Sequence, residues 1–271
     1  MGVAGVAIST VVARTIAVIA VFVFFFAKKI GKISLRYMKP FPGRLLGKMV
    51  KIGLPTAGEN LTYNLYQTTL LSFVNAMGNE AVLARSYCQI LISFAIIFSN
   101  ACAMSTQIIT GHLVGAGKEE AAYKRVFKTL KTSMPITLAL VSINALLCRY
   151  TLLIFTHNEE IIALGQMIMI VDIFIEIGRC LNMTFVCSLK AAGAYVFPLI
   201  MGLLCNWGLG LTAGYLVGVV CGMGVAGIFV GTATDECIRG LIVMYYWYKK
   251  KWIGKSVVEK RKKNVLEDAE A

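Results

Sequence analysis

The stretch IIALGQMIMIVDIFIEIGRCLNMTFVCS, Ile161–Ser188, decides the fold. It is apolar and longer than the roughly 20 helical residues that cross a hydrocarbon core, yet it carries Asp172, Glu176 and Arg179. Each such charge costs roughly 2.5–3.5 kcal/mol at a bilayer centre on insertion scales, so three in one span need partners or a water-filled cavity. Asp172 and Glu176 are four apart, and Glu176 and Arg179 three apart, so on a helix all three share one face. That face turns away from lipid. Arg179 can neutralise one of the two acids, and two carboxylates this close repel unless a proton or a cation sits between them.

Further apolar stretches run over Val3–Phe26, Ile52–Met77, Val82–Ile109, Thr132–Phe155, Phe197–Val220 and Gly222–Trp247, making seven spans in all. Of the 271 residues 58% are hydrophobic and 15% charged, against about 25% charged in a soluble domain. The reading is an all-α integral membrane protein, a polytopic bundle of seven transmembrane helices.

The net charge of +13 is a matter of topology and not of nucleic acid. Lys28, Lys29, Lys32, Arg36, Lys39, Arg44, Lys48 and Lys51 crowd the first connection. Lys118, Lys124, Arg125, Lys128 and Lys131 follow the third span, Lys190 the fifth, and Lys249–Lys251 with Lys260–Lys263 the last. Seven alternating spans put all of these on one side, which the positive-inside rule makes the cytoplasm. The expected location is the plasma (inner) membrane, multi-pass, with the amino terminus outside and the carboxyl terminus cytoplasmic. Anionic lipid headgroups are the expected contacts of the basic clusters.

The eight cysteines form no CxxC pair and read as small packing residues. Gly111–Glu119 fails as a phosphate-binding loop, because its glycine spacing is too long and no Ser or Thr follows Lys118; it reads as a tight turn. His112 and His157 are placed in loops. No nucleophile–base pair, metal cluster or cofactor motif points to an enzyme.

Three groups of polar residues inside spans carry the functional argument. Pro55 bends the second helix, and Glu59 follows one turn later as the sole charge of that span, with Tyr63, Asn64 and Gln67 continuing a polar stripe. The second group is Asp172, Glu176, Arg179 and Asn182. The third, Asp235, Glu236 and Arg239, has ion-pair spacing and reads as a structural pair facing the bundle. Glycines at 210, 214, 218, 227 and 231 recur four apart, an interval that lets membrane helices meet backbone to backbone.

Glu176-Ile-Gly178-Arg179-Cys-Leu-Asn182, Leu189-Lys190-Ala191-Ala192-Gly193, Phe197-Pro198, Trp207, Tyr215, Gly222–Gly227 and Asp235-Glu236-Cys-Ile-Arg239-Gly240 occur in this order. Together with Gly53-Leu54-Pro55 and Gly111–Gly117, they resemble the carboxy-terminal half of the multidrug and toxic compound extrusion (MATE) family. The resemblance implies two six-helix lobes and export of organic, often cationic, compounds in exchange for sodium ions or protons, the coupling ion being the sole cofactor.

On that plan residues 1–27 are the family's sixth helix, 28–51 a basic cytoplasmic interlobe loop, 52–248 the six-helix second lobe and 249–271 a basic tail. The amino-terminal lobe is then an absent partner, and a partial or split chain is expected. The family's usual carboxylates fall here at Tyr63 and Arg179, with Glu59 and Glu176 nearby, and its Gly-Asp after the inside turn is Gly193-Ala194. The expected coupling residues are Glu59, Asp172 and Glu176, and the expected cavity residues Tyr63, Asn64, Gln67 and Asn182. Small organic compounds are the expected substrates. A flippase for lipid-linked oligosaccharides, and a half without transport of its own, stay open as alternatives.

Overall fold

In the computed structural model, residues 2–27 and 43–255 are described; the basic connection expected over 28–42 and the tail over 256–271 lie outside them. Among the described residues seven helices follow one another: α1 Gly2–Ala27, α2 Gly43–Asn75, α3 Asn79–Gly115, α4 Glu119–Leu152, α5 Glu159–Ala191, α6 Val196–Val220 and α7 Gly224–Tyr248. Five of them, α1 and α3 to α6, are long and apolar enough to cross a membrane by length and composition. The remaining two, α2 and α7, hold the polar stripe after Pro55 and the charged triplet at residues 235–239.

Several local expectations change. Residues 43–51, read as part of the connection, are the first turns of α2. His112 is helical, because α3 runs on to Gly115 before the chain turns at Ala116–Lys118. That turn closes with Gly117 at φ 72° and Lys118 N–H donating to Leu113 O.

The chain divides into two units, Met1–Met49 and Val50–Ala271. The first holds α1, an apolar helix whose Ser9, Thr10 and Thr15 hydroxyls donate to carbonyls one turn back. That arrangement gives each hydroxyl a partner within its own helix.

In the second unit α5 is central and packs on α3, α4 and α7. Asn158 caps its start by accepting from Glu160 N–H at 2.9 Å, and two glutamates occupy the first turn, where the helix dipole favours negative charge. Its end is a glycine-terminated turn: Gly193 takes φ 88° while Ala194 N–H donates to Leu189 O, a conformation in which a Cβ would be strained.

Two apolar cores sit at opposite ends of α5. One gathers Ile162, Ile168, Met169 and Ile175 with Tyr66, Leu70, Ile92 and Leu152. The other joins Phe185 and Leu189 to Val126, Val243, Trp247 and Trp252. Asp172, Glu176, Arg179 and Asn182 fall between or at the inner edges of these cores, which places charge at the middle of the bundle. Large side chains such as Phe94, Ile97, Leu146 and Phe174 are exposed on the outside, as helices facing hydrocarbon require.

Glycines set how closely α7 approaches its neighbours. A Cβ at Gly178 of α5 would lie 2.5 Å from Cys237 N, and one at Gly227 would lie 2.6 Å from Gly218 Cα of α6. These seams are backbone to backbone, as the four-residue glycine interval leads one to expect. Helix α6 also contains two π-helical stretches, Leu204–Gly210 and Leu216–Val220, a geometry frequent at functional sites.

Candidate functional site

Helices α2, α3, α5 and α7 surround a cavity of about 980 Å³. Its wall includes Glu59, Tyr63 and Gln67 from α2, Arg85 and Asn100 from α3, Asp172, Arg179, Asn182 and Lys190 from α5, and Thr232, Glu236 and Arg239 from α7. The charged faces of three helices, far apart in sequence, therefore converge on one space.

Most of these charges come in pairs. Glu176 accepts from Arg179 one turn away, behind the cavity wall. Glu236 lies 2.9 Å from Arg239 Nη2 and accepts a second bond from Asn182 Nδ2, also at 2.9 Å, which ties α7 to α5. Lys190 Nζ is 2.8 Å from Glu59 Oε2. Glu59 thus has no partner in its own helix, as its isolation in the span requires, but one in α5. Lys190, read from the sequence as a topology signal, is folded inward at the end of α5 to meet it.

Asp172 differs from every other acid in the wall. It is 1% exposed, and neither carboxylate oxygen has a hydrogen-bond partner among the described residues. Burying an ionised carboxylate in this way is costly, and a proton or a cation removes the cost. Its counterpart is Arg85, whose guanidinium contacts the Gln67 side-chain oxygen at 3.4 Å and no carboxylate among the described residues. Gln67 in turn donates to the Tyr63 hydroxyl at 3.2 Å, so a polar chain runs from α3 across α2.

Of the expected cavity residues, Tyr63, Gln67 and Asn182 line the space. Asn64 does not. It is exposed on the far side of α2 and donates to Asn60 O at 2.8 Å, because a step of one residue from Tyr63 turns a side chain about 100° round the helix. Glu176 is buried beside the wall, held by Arg179.

Sequence reading missed Arg85, Gln89, Ser93 and Asn100, all of which line the cavity. Their spacing along α3 is a polar stripe of helical period inside an otherwise apolar span. It was a legible signal, masked by the high hydropathy of the span as a whole.

Membrane-length helices that keep charge off their outer faces and gather it round a central cavity define a polytopic membrane bundle. A sequence model of the MatE family matches residues 55–216, from Pro55 in α2 into α6, and the chain belongs to that family. It is 35% identical over 257 residues to YisQ, an uncharacterized transporter of Bacillus subtilis (strain 168), covering 95% of this chain and 56% of YisQ. It is 18% identical to YoeA of the same organism, a probable multidrug resistance protein, again over 95% of this chain and 56% of the relative. A crystal structure of a MATE protein in the straight conformation superposes with a TM-score of 0.75 at 18% identity, covering 92% of this chain and 56% of that one. The chain spans a little over half the length of the curated relatives it matches.

Proposed function

We propose that this chain is the substrate- and ion-handling lobe of a secondary antiporter that exports organic solutes in exchange for protons or sodium ions, with Asp172 as the coupling group. One observation carries the reading. Among the described residues Asp172 is the cavity acid with no ion pair or hydrogen bond, while Glu59, Glu176 and Glu236 are each matched to a Lys or Arg. A coupling carboxylate has to exchange its cation in each cycle, which a tightly paired acid does poorly. The plasma membrane and a cytoplasmic carboxyl terminus fit the one-sided basic clusters, and rocking of this lobe against the rest of the transporter supplies alternating access.

The test is efflux from cells or proteoliposomes containing the full-length protein, driven separately by a proton and a sodium gradient. Asp172→Asn is expected to abolish gradient-driven efflux while membrane insertion stays normal, and Glu176→Gln to reduce it less. Full activity of Asp172→Asn under both gradients would refute the assignment.

A second reading of the cargo has its own support. Arg85, Arg179, Lys190 and Arg239 all line the cavity, and among the described residues Arg85 has no acid against it. A wall of this kind suits a solute with an acidic group, as a lipid-linked oligosaccharide would have, in place of a simple cation. Arg85→Glu separates the two: an acidic cargo is lost and a cationic one is gained, whereas unchanged preference removes Arg85 from recognition.

A further inference from the structure

Where α2, α6 and α7 meet, outside the residues that line the cavity, a second group of buried polar atoms lacks partners. Asp235 of α7, Tyr66 of α2 and Asn206 of α6 are all at most 1% exposed. Both carboxylate oxygens of Asp235, the Tyr66 hydroxyl and Asn206 Oδ1 make no hydrogen bond among the described residues.

Their proximity follows from the glycines of α6. A Cβ at Gly210 would sit 2.5 Å from the Tyr66 hydroxyl oxygen and 3.0 Å from Asp235 Cβ, so these two side chains meet in the notch that Gly210 leaves. One at Gly202 would sit 3.9 Å from Arg239 Nη1. Asn206 lies between the two glycines on the same stripe, about one turn from each, and so borders the Asp235–Arg239 segment of α7.

Arg239 reaches both acids of its helix, as the spacing leads one to expect, but unequally. Arg239 Nη2 is 2.9 Å from Glu236 but 3.5 Å from Asp235, beyond good hydrogen-bond geometry for a charged pair. Two adjacent carboxylates share one guanidinium, which leaves one negative charge over. The acceptors left without a partner are the two oxygens of Asp235 and Asn206 Oδ1, and the donors left without one are the Tyr66 O–H and Arg239 Nε–H. The titratable and charged groups facing Asp235 are Glu236 and Arg239 on its own helix, Tyr66 on α2 and Cys205 on α6.

We propose that Asp235 is a proton-binding site distinct from Asp172, built at the α2–α6–α7 junction. Addition of one proton to the carboxylate gives a neutral acid. Its O–H then donates towards Asn206 Oδ1, and its carbonyl oxygen accepts from Tyr66. The electron count is unchanged, the excess negative charge is removed, and each orphaned acceptor acquires a donor. Tyr66 fills the notch, which favours a proton over a hydrated metal ion. Because Asn206 and Gly210 belong to the first π-helical stretch of α6, proton occupancy is tied to how α6 seats on α7.

The test is pH-difference infrared spectroscopy of the full-length protein in lipid, reading the carbonyl stretch of protonated carboxyl groups. Wild type is expected to show a band that Asp235→Asn loses and Asp172→Asn retains, which separates this site from the coupling assignment. Tyr66→Phe, a milder change, is expected to keep the band but move it to higher frequency, since the acid carbonyl loses its donor. Spectra of Asp235→Asn that match wild type, or a band that stays in place in Tyr66→Phe, overturn the proposal.

Discussion

Gly178→Ala probes the seam on which the site depends. The new Cβ would lie 2.5 Å from Cys237 N, 2.6 Å from the Glu236 carbonyl carbon and 2.9 Å from Cys237 Cα. Every one of these neighbours is backbone, so no rotamer change relieves the overlap. Non-bonded carbon atoms prefer about 3.5–4.0 Å, so α5 and α7 have to separate by about 1 Å. Overpacking of this kind costs roughly 1–3 kcal/mol, against which Ala regains up to about 1 kcal/mol of helix propensity over Gly. The net expectation is a loss of about 1–2 kcal/mol.

The same separation stretches the 2.9 Å bond between Asn182 and Glu236, which bridges those two helices across the cavity wall. The assay is thermal unfolding of the purified full-length protein in detergent, with Gly208→Ala as control, because a Cβ at Gly208 meets nothing within 4 Å. Gly208→Ala is expected to be neutral or slightly stabilising. Gly178→Ala unfolding at or above the wild-type temperature would refute the close-packing argument.

Further expectations concern the charges and the far core. Glu59 and Lys190 form a pair in which each partner is largely buried, so Glu59→Gln or Lys190→Met alone destabilises, and the double variant loses less than the sum. An unfolding double-mutant cycle measures this, and strict additivity would show the pair to be uncoupled. Trp252 is buried with its ring stacked on Trp247 at 4.3 Å, and Trp252→Ala removes contacts of the kind worth about 3–5 kcal/mol in a core. The segment after α7 should then become cleavable by limited proteolysis, and unchanged protection would show that the stack does not hold it.

The class of the protein and its charged helix faces were legible in the sequence, because both rest on local rules. Apolar length sets which segments can cross a bilayer, and a spacing of three or four residues places Glu176 beside Arg179 and Glu236 beside Arg239 without reference to any other helix. The glycine interval of α6 and α7 announced a close seam for the same reason.

Which charges are satisfied between helices was decided only by the tertiary structure. Lys190 is one more basic residue after a span until the fold brings it to Glu59, and Arg85 is one polar residue in an apolar run until α3 turns its stripe inward. Asp235 has the spacing of an ion pair and lies 3.5 Å from Arg239, yet it shares that guanidinium with Glu236, which is closer at 2.9 Å. Asn64 belongs to a polar run, yet it points outward. Pairing across helices depends on their rotation and depth, which periodicity within one helix does not encode. Ile161–Ser188 therefore announced an inward-facing charged helix, and only the packing of its neighbours singled out Asp172 as the acid left without a partner.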